Sequence, residues 1–282
     1  MILVFGKTGQ VARELQLLDE VIALGREEVD LCHPDVCAQA IHQYTPIGVI
    51  NAAAYTAVDR AEQQEECANI VNGAAPAAMA KACTEIGVPL VHLSTDYVFD
   101  GSGDAPWTPE HPTSPPNAYG RSKVIGENAI RTSGATFAIL RTSWIVSSRG
   151  ENFVKKMLHL SETKRSLSIV ADQIGGPTPA RDIAAACLWI AKQLLEDPQK
   201  SGIYHFSGEP DVSWCDFAKV IFEYTGRGTR TYPISTSDYP TLAARPLNSQ
   251  LDCELTEETF NIPRPDWHKG LKDILNELEM TS

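Results

Sequence analysis

Residues 1–18, MILVFGKTGQVARELQLL, decide the fold. The first five residues form an apolar run typical of a buried strand, Gly6 and Gly9 come next, and apolar residues then recur at helical spacing. A strand, a glycine turn and a helix in this order open a dinucleotide-binding unit, because the glycines let the backbone approach a pyrophosphate at the helix N-terminus. The sequence therefore predicts a cofactor loop that includes Gly6, Gly9, Gln10 and Val11.

Further short apolar runs follow, each separated from the next by a segment with helical spacing. They lie at Val21–Leu24, Gly48–Asn51 and Leu90–Ser94. Strands that alternate with helices form a parallel sheet with helices on both faces. The predicted fold class is therefore α/β, a Rossmann-like doubly wound parallel sheet, and ligands are expected at the carboxyl ends of its strands.

The end of the second predicted strand bears on the choice of cofactor. An acidic residue usually stands there and binds the ribose 2′-hydroxyl of NAD, but this chain has Gly25 followed by Arg26. A guanidinium in that place favours the 2′-phosphate of NADPH, unless Arg26 is only a solvated loop residue. Asp30 and Leu31 begin the next turn, where a side chain can approach the adenine.

The ends of the third and fourth strands supply more candidate ligand contacts. The small residues 52–54, all alanine, let a cofactor lie against the backbone, and Thr56 is expected to cap the helix that follows. Leu93 in the fourth strand is expected to contact the cofactor as well. Thr95 and Asp96 come at the end of that strand, where polar side chains can meet a substrate.

Tyr119 and Lys123 are four residues apart at the start of a predicted helix. Their side chains should lie on one helix face, where an ammonium would lower the tyrosine pKa and make it a useful general acid. Many helices carry tyrosine and lysine at this spacing by accident, so the pair gains weight only from the motifs around it. Prolines are frequent in residues 101–117, which predicts a stiffened loop before this helix.

Composition narrows the possible functions. The 282 residues have a net charge of −12 and are 43% hydrophobic, which allows a large core and disfavours binding to nucleic acid or to an anionic membrane. The seven cysteines form no Cys-x-x-Cys motif and the histidines show no metal-binding spacing, so we predict reduced thiols, no metal ligands and a cytoplasmic location. A strand that begins at residue 2 leaves no room for a signal peptide, and no apolar run reaches transmembrane length.

The second half of the chain is less regular. Helices are expected near 152–160 and 180–195 and after Ser213, with strands near 167–170 and 203–206. We predict a dinucleotide-binding domain over 1–145, with its sheet completed by segments returning within about 165–207. Most of 146–282 would form a smaller, interleaved C-terminal substrate-binding lobe.

The order of these motifs resembles the extended short-chain dehydrogenase/reductase family and, within it, the dTDP-4-dehydrorhamnose reductases. The resemblance runs along nearly the whole chain and is carried by Gly6-x-x-Gly9-Gln10-Val11, Asn51-Ala52-Ala53-Ala54, Ser94-Thr95-Asp96-Tyr97-Val98-Phe99, Tyr119-Gly120-x-x-Lys123, Arg141-Thr142-Ser143-Trp144 and Ala244-Arg245-Pro246. Two positions depart from the family pattern: Ala12 stands where glycine is usual, and Gly25 where an acid is frequent.

The resemblance implies a role for each matching residue. Tyr119 would protonate the ketone oxygen, Lys123 would bind the nicotinamide ribose, and Thr95 would hydrogen-bond the substrate carbonyl. Asp96, Trp144 and Arg245 would contact the dTDP-sugar, with Arg245 either on the diphosphate or in a surface ion pair. The implied activity is NADPH- or NADH-dependent reduction of a 4-keto sugar.

Other activities compatible with these motifs remain open. A dehydratase would need a glutamate after Asp96, where the chain has Tyr97. Nucleotide-sugar epimerases share the catalytic pair, and the regulatory subunit of methionine adenosyltransferase shares the family resemblance while acting as a binding partner. The resemblance also implies a homodimer, and in some members Mg²⁺ held by acidic residues at the dimer interface. Glu14 stands where one such ligand would, unless it is only an exposed residue of the first helix.

Overall fold

The computed structural model describes residues 1–280. The strands are β1 (Ile2–Phe5), β2 (Val21–Leu24), β3 (Gly48–Asn51), β4 (Leu90–Thr95), β5 (Phe137–Thr142), β6 (Ile145–Val146), β7 (Ser166–Val170), β8 (Ile174–Gly175), β9 (Thr178–Pro179), β10 (Gly202–His205), β11 (Val212–Ser213), β12 (Arg230–Ile234) and β13 (Asn248–Ser249). The helices are α1 (Gln10–Leu18), α2 (Pro34–Tyr44), α3 (Val58–Ala61), α4 (Glu65–Asn69), α5 (Ala75–Ile86), α6 (Ala118–Arg131), α7 (Phe153–Thr163), α8 (Ala180–Glu196), α9 (Trp214–Tyr224), α10 (Glu254–Phe260) and α11 (Trp267–Met280).

Six parallel strands form the main sheet, in the order β10-β5-β4-β3-β1-β2. Apolar residues on one face pack against α1 and α8, and those on the other face pack against α2 and α5. The predicted doubly wound α/β fold is therefore confirmed. Because β1 lies between β2 and β3, the chain reverses its winding direction there, and this switch point opens the crevice in which such sheets bind ligands.

A second apolar core lies away from the main sheet. It is built from α7, α9 and α11 together with the parallel pair β7 and β12, and it includes buried Phe217 and Trp267. Short strands β8, β11 and β13 form a three-stranded sheet beside it. The chain returns from this region through α8 and β10, and β10 pairs with β5 at the edge of the main sheet. The division of the chain near residue 145 stays a prediction.

Local signals placed most of the elements, with one error. Gly87 ends α5 in the left-handed region at φ 70°, and the Asn117 side chain caps α6 by accepting a hydrogen bond from the Gly120 N–H at 2.8 Å. The prediction that Thr56 caps the next helix is wrong, because α3 begins later and its N-cap residue is Ala57, without a side-chain hydrogen bond. Within residues 1–280, no helix has the length and apolar character needed to cross a lipid bilayer.

Candidate active site

A cavity of about 680 Å³ opens at the carboxyl ends of the first strands of the main sheet. Its volume is within the range usual for small-molecule sites. All fourteen residues that the sequence assigns to the cofactor line it: Gly6, Gly9, Gln10, Val11, Gly25, Arg26, Asp30, Leu31, Ala52, Ala53, Ala54, Leu93, Tyr119 and Lys123. The cavity is therefore the candidate cofactor site, and the contact made by each residue stays a prediction.

The glycine loop has the geometry that the cofactor prediction requires. Gly6 has φ 105°, a conformation that side chains disfavour, and a Cβ at Gly6 would lie 3.3 Å from the backbone of Ala52. The loop leads into α1, which begins at Gln10. Ala12 is fully buried beneath the loop, so the methyl group that replaces the usual glycine is accommodated. The backbone is thus open where a pyrophosphate would lie.

The end of β2 differs from the expectation that no acid is present. The chain turns back after Gly25, and the Glu28 carboxylate accepts a hydrogen bond from the Gly25 N–H at 2.9 Å. The same carboxylate forms an ion pair with Lys7 of the glycine loop. A carboxylate therefore does stand at this strand end, supplied three residues later than the family pattern places it, together with a cation that the sequence reasoning missed.

Arg26 lies at the same rim and is exposed on its outer side. Its Nε is 3.1 Å from the Asp30 carboxylate, and 79% of the side chain is accessible. The guanidinium contacts the Asp30 carboxylate and, through Nη2, lies 3.8 Å from Cys32 Sγ, both on the exposed rim of the cavity. Its role in choosing the cofactor stays a prediction.

Helix α6 and strand β4 bring the candidate catalytic residues together. The Tyr119 phenol interacts with the Thr95 hydroxyl, and Thr95 Oγ1 donates to Asp96 Oδ1 at 3.0 Å. Asp96 is buried, and its other oxygen, Oδ2, has no hydrogen-bond partner among residues 1–280. Burial raises the pKa of Asp96 to about 6. A buried carboxylate oxygen without a partner is costly, so this atom is a candidate contact for a ligand hydroxyl.

The expectation that Lys123 lowers the pKa of Tyr119 is wrong for this structure. Burial raises the pKa of Tyr119 above its ordinary value, and the interaction with Thr95 offsets only part of that rise. The Lys123 Nζ atom makes its contacts elsewhere: it donates to the Leu93 carbonyl at 2.7 Å and lies 3.1 Å from His92 Nε2. Tyr119 therefore keeps its proton at neutral pH, as an acid must.

The candidate substrate residues lie outside the lining of this cavity. Trp144 has φ 46° and stacks on Trp214 with ring centroids 3.5 Å apart, so its ring orientation is fixed by α9. Arg245 forms an ion pair with Asp59 at 2.7 Å and is largely buried. Arg245 thus makes an ion pair in this structure through Nη2, and its contact with a diphosphate stays a prediction.

The predicted Mg²⁺ site gains no support from the described residues. Residues 1–280 of the single chain contain no group of three or more histidines, cysteines or acids placed to hold a metal ion. Glu14 is buried and lies 3.5 Å from Arg149, and burial raises its pKa. Bound Mg²⁺ would prefer several carboxylate oxygens to a guanidinium neighbour.

Several residues at the cavity escaped the sequence reasoning. Gly150 and Glu151 reach it from the loop after β6, and His92 contacts Lys123 from β4. Lys7 and Thr8 carried a local signal, since both lie inside the glycine loop. The others depend on which strands and loops become neighbours in the folded chain.

Comparison with known families and structures agrees with this geometry. The family model described as RmlD substrate binding domain matches residues 1–280. A dTDP-4-dehydrorhamnose reductase of Sinorhizobium fredii is 43% identical over 96% of this chain and 95% of that protein. The dTDP-4-dehydrorhamnose reductase of Escherichia coli K12 is 38% identical over 100% of this chain and 99% of that protein.

Solved structures extend the similarity to three dimensions. A dTDP-4-dehydrorhamnose reductase of Clostridium acetobutylicum superposes with a TM-score of 0.92 at 34% identity, over 99% of both chains. One from Bacillus anthracis, solved in complex with NADP, has a TM-score of 0.90 at 32% identity over 98% of both chains. Fold and relatives together define an NAD(P)H-dependent reductase of the extended short-chain dehydrogenase/reductase type. Within it, the chain belongs to the dTDP-4-dehydrorhamnose reductase family, and the resemblance drawn from its motifs is confirmed.

Proposed function

We propose that the protein reduces the 4-keto group of dTDP-4-dehydrorhamnose to give dTDP-L-rhamnose, with NADPH or NADH as the reductant. The observation that carries the proposal is the meeting of Tyr119 and Lys123 at the cavity, with Thr95 beside the phenol. The complex of the Bacillus anthracis relative with NADP supports the choice of cofactor. When bound, the reduced nicotinamide supplies the hydride.

The chain's own residues would handle the proton and the developing charge. Tyr119 would give its proton to the ketone oxygen as negative charge develops there, and Thr95 would hold that oxygen by a hydrogen bond. Lys123 would bind the nicotinamide ribose. A phenol whose pKa is raised by burial is fully protonated at neutral pH, so the acid is present in its active form before the reaction begins.

Asp96, Trp144 and Arg245 would bind the dTDP-sugar. The unpartnered Oδ2 of Asp96 would accept a hydrogen bond from a sugar hydroxyl, which would remove the cost of leaving that atom buried alone. Trp144, braced by Trp214, would form a flat wall for the sugar ring. Arg245 would bind the diphosphate after exchanging its carboxylate partner. A homodimer and Mg²⁺ dependence are predictions that follow from the family alone, and a cytoplasmic location is a prediction from the cysteine pattern.

The direct test combines purified protein, NADPH and dTDP-4-dehydrorhamnose. We expect loss of the reduced-nicotinamide absorbance, at a rate that depends on the sugar nucleotide, and formation of dTDP-L-rhamnose identified by NMR. An isomerised sugar nucleotide, formed without net consumption of the cofactor, would instead indicate an epimerase. Absence of cofactor oxidation with the sugar present would overturn the proposal.

A further inference from the structure

His92 lies between Asn51 and Lys123 in the interior of the molecule. The Asn51 Nδ2 atom is 3.0 Å from His92 Nδ1, and the Lys123 Nζ atom is 3.1 Å from His92 Nε2. All three side chains are at most 1% exposed. Water cannot complete their hydrogen bonds, so the protons in this row have to be shared among the three groups.

The positions of the protons on Asn51 and His92 follow from the backbone N–H of Ala53. The Ala53 N–H donates to Asn51 Oδ1 at 3.2 Å, which fixes the oxygen of the amide on that side and turns its NH₂ group toward His92. His92 Nδ1 must then accept. Burial holds the pKa of His92 well below its ordinary value, so the ring is neutral. A neutral imidazole with an accepting Nδ1 carries its proton on Nε2.

The Nε2–H bond therefore faces Lys123 Nζ. An ammonium has three donors and no lone pair, so it cannot accept this hydrogen bond, whereas a neutral amine can. The second contact of Nζ, its donation to the Leu93 carbonyl at 2.7 Å, is available to both forms of the lysine. Between the two forms, only the neutral amine satisfies both contacts.

We propose that His92 is a positioning residue for Lys123: as an Nε2–H imidazole it favours the uncharged amine of Lys123, and it thereby couples NADPH binding to protonation of that amine. The coupling to NADPH rests on the proposed function. A ribose bound by the ammonium would draw Nζ away from His92, and the free and bound states would differ in the protons they hold.

The other charged groups near Lys123 do not cancel this effect. Glu127, one turn further along α6, favours the ammonium, but its carboxylate is already bound by Arg141 through two contacts of 3.0 and 2.7 Å. His205 faces Arg141, and Tyr119 is protonated. Burial lowers the pKa of Lys123 to about 8, which brings its titration close to physiological pH.

The first test needs no cofactor. In ¹⁵N-labelled protein, the ring shifts of His92, assigned by their loss in His92→Gln, distinguish the two neutral tautomers from the imidazolium. We expect the Nε2–H tautomer on both sides of neutral pH. The Nδ1–H tautomer, or an imidazolium near pH 7, would overturn the proposal even if the protein proved not to bind NADPH.

The second test follows the Kd for NADPH as a function of pH. In the wild type, affinity should fall as pH rises through about 8, because the ammonium that would bind the ribose is lost. In His92→Gln the amide oxygen can face Nζ and accept from the ammonium. The pH at which NADPH affinity falls should therefore rise by about one pKa unit, a tenfold change in the proton dissociation constant of Lys123.

His205→Gln is the matched control, since His205 is equally buried but does not contact Lys123. Its pH profile should follow the wild type. If His92→Gln unfolds at the same temperature as the wild type and the pH midpoint of its NADPH affinity is unchanged, His92 is only a packing residue and the proposal fails. A protein that binds no NADPH at any pH would contradict the proposed function instead, and the tautomer test would still decide the role of His92.

Discussion

A row of polar groups leads from the Tyr119 phenol through the Thr95 hydroxyl to the Asp96 carboxyl group, where the candidate reaction would take place. Thr95 and Asp96 are buried, and Tyr119 is half-buried. Such an arrangement holds a donor ready without solvent. Asp96 Oδ1 accepts the hydrogen bond from Thr95, whereas Oδ2 has no hydrogen-bond partner among residues 1–280. We predict that this oxygen accepts a hydrogen bond from a bound sugar nucleotide.

Replacing Tyr119 with phenylalanine tests the acid directly. Tyr119→Phe removes one hydroxyl and keeps the ring against Tyr97, which it meets edge-on with centroids 5.8 Å apart. Because general acid catalysis is worth about 10²–10⁴-fold, kcat should fall by that factor in steady-state assays. The Kd for NADPH, measured by fluorescence, should stay close to wild type. Nearly full turnover at saturating substrate would show that Tyr119 is structural.

The pH dependence at low pH should report Asp96. Burial raises the pKa of Asp96 to about 6, so its carboxylate form is lost as pH falls through that value. The kcat/KM for the sugar nucleotide should then decline below about pH 6, because a protonated Oδ2 no longer accepts freely. Asp96→Asn should start from a lower kcat/KM and lack this decline. A decline that survives in Asp96→Asn would assign it to another group.

Two substitutions at the end of β2 should shift cofactor preference in opposite directions. Arg26→Ala removes a cation and should weaken NADPH more than NADH. Glu28→Gln removes the carboxylate bound to the Gly25 N–H and should strengthen NADPH relative to NADH. Each change should be about two- to fivefold, the range of exposed ionic contacts, in the ratio of the two Kd values. Equal effects on both cofactors would show that neither side chain contacts the 2′ position.

Helix α6 depends on two glycines to lie close to its neighbours. A Cβ at Gly126 would be 2.1 Å from the Asn72 carbonyl oxygen, and one at Gly120 would be 2.2 Å from the Tyr97 carbonyl oxygen. These backbone contacts leave no room for a methyl group. The close approach fixes α6, and with it Tyr119 and Lys123, against the segments that follow β3 and β4.

Gly126→Ala should therefore destabilise the fold although alanine favours helices. Overpacking costs about 1–3 kcal/mol, more than the gain of about 1 kcal/mol in helix propensity. Chemical denaturation should show a lower midpoint than the wild type. Asn128→Ala, at an exposed position of the same helix, is the control and should be neutral or slightly stabilising. Equal stabilities of the two variants would mean that α6 can move away from Asn72 without cost.

At the scale of elements, the sequence predicted β1 to β4 and β10 because each is a short apolar run between turn residues, but it did not predict β5 (Phe137–Thr142). It predicted Asn117 as the end of a loop, where it proves to be the cap of α6. It could not locate the Glu28 carboxylate at the end of β2, since a turn of three residues brings it back. Nor could it find the partners of Lys123, because His92 becomes its neighbour only when β4 lies beneath α6.

The pKa of Tyr119 shows a different limit of sequence reasoning. The spacing of Tyr119 and Lys123 on α6 was inferred correctly, but the sign of the pKa shift was not. Removal of the phenol from water outweighs any nearby charge, and Lys123 Nζ is directed at the Leu93 carbonyl of the sheet. Spacing indicates which residues share a helix face, whereas burial depends on everything packed around them.

For the whole molecule, residues after 145 are part of the core of the main sheet. Helix α8 covers one face of that sheet and β10 forms its edge next to β5. A fragment of residues 1–145 would lack both and expose the apolar residues that α8 covers. We expect this fragment to show no cooperative thermal unfolding and to bind a hydrophobic dye. A fragment of residues 1–207, which retains α8 and β10, is the matched comparison and should expose less of this face.

The path of the chain also constrains how such a gene can recombine. After β5 the polypeptide builds α7 and β7, goes back to the main sheet with α8 and β10, and leaves it again for α9 and α11. A single crossover between two related genes would therefore join mismatched parts of both cores. To acquire a new sugar-binding surface and keep the nucleotide-binding sheet intact, a gene would have to exchange at least two segments, one before α8 and one after β10. Sugar and cofactor preferences should consequently change by point substitution more readily than by exchange of whole segments.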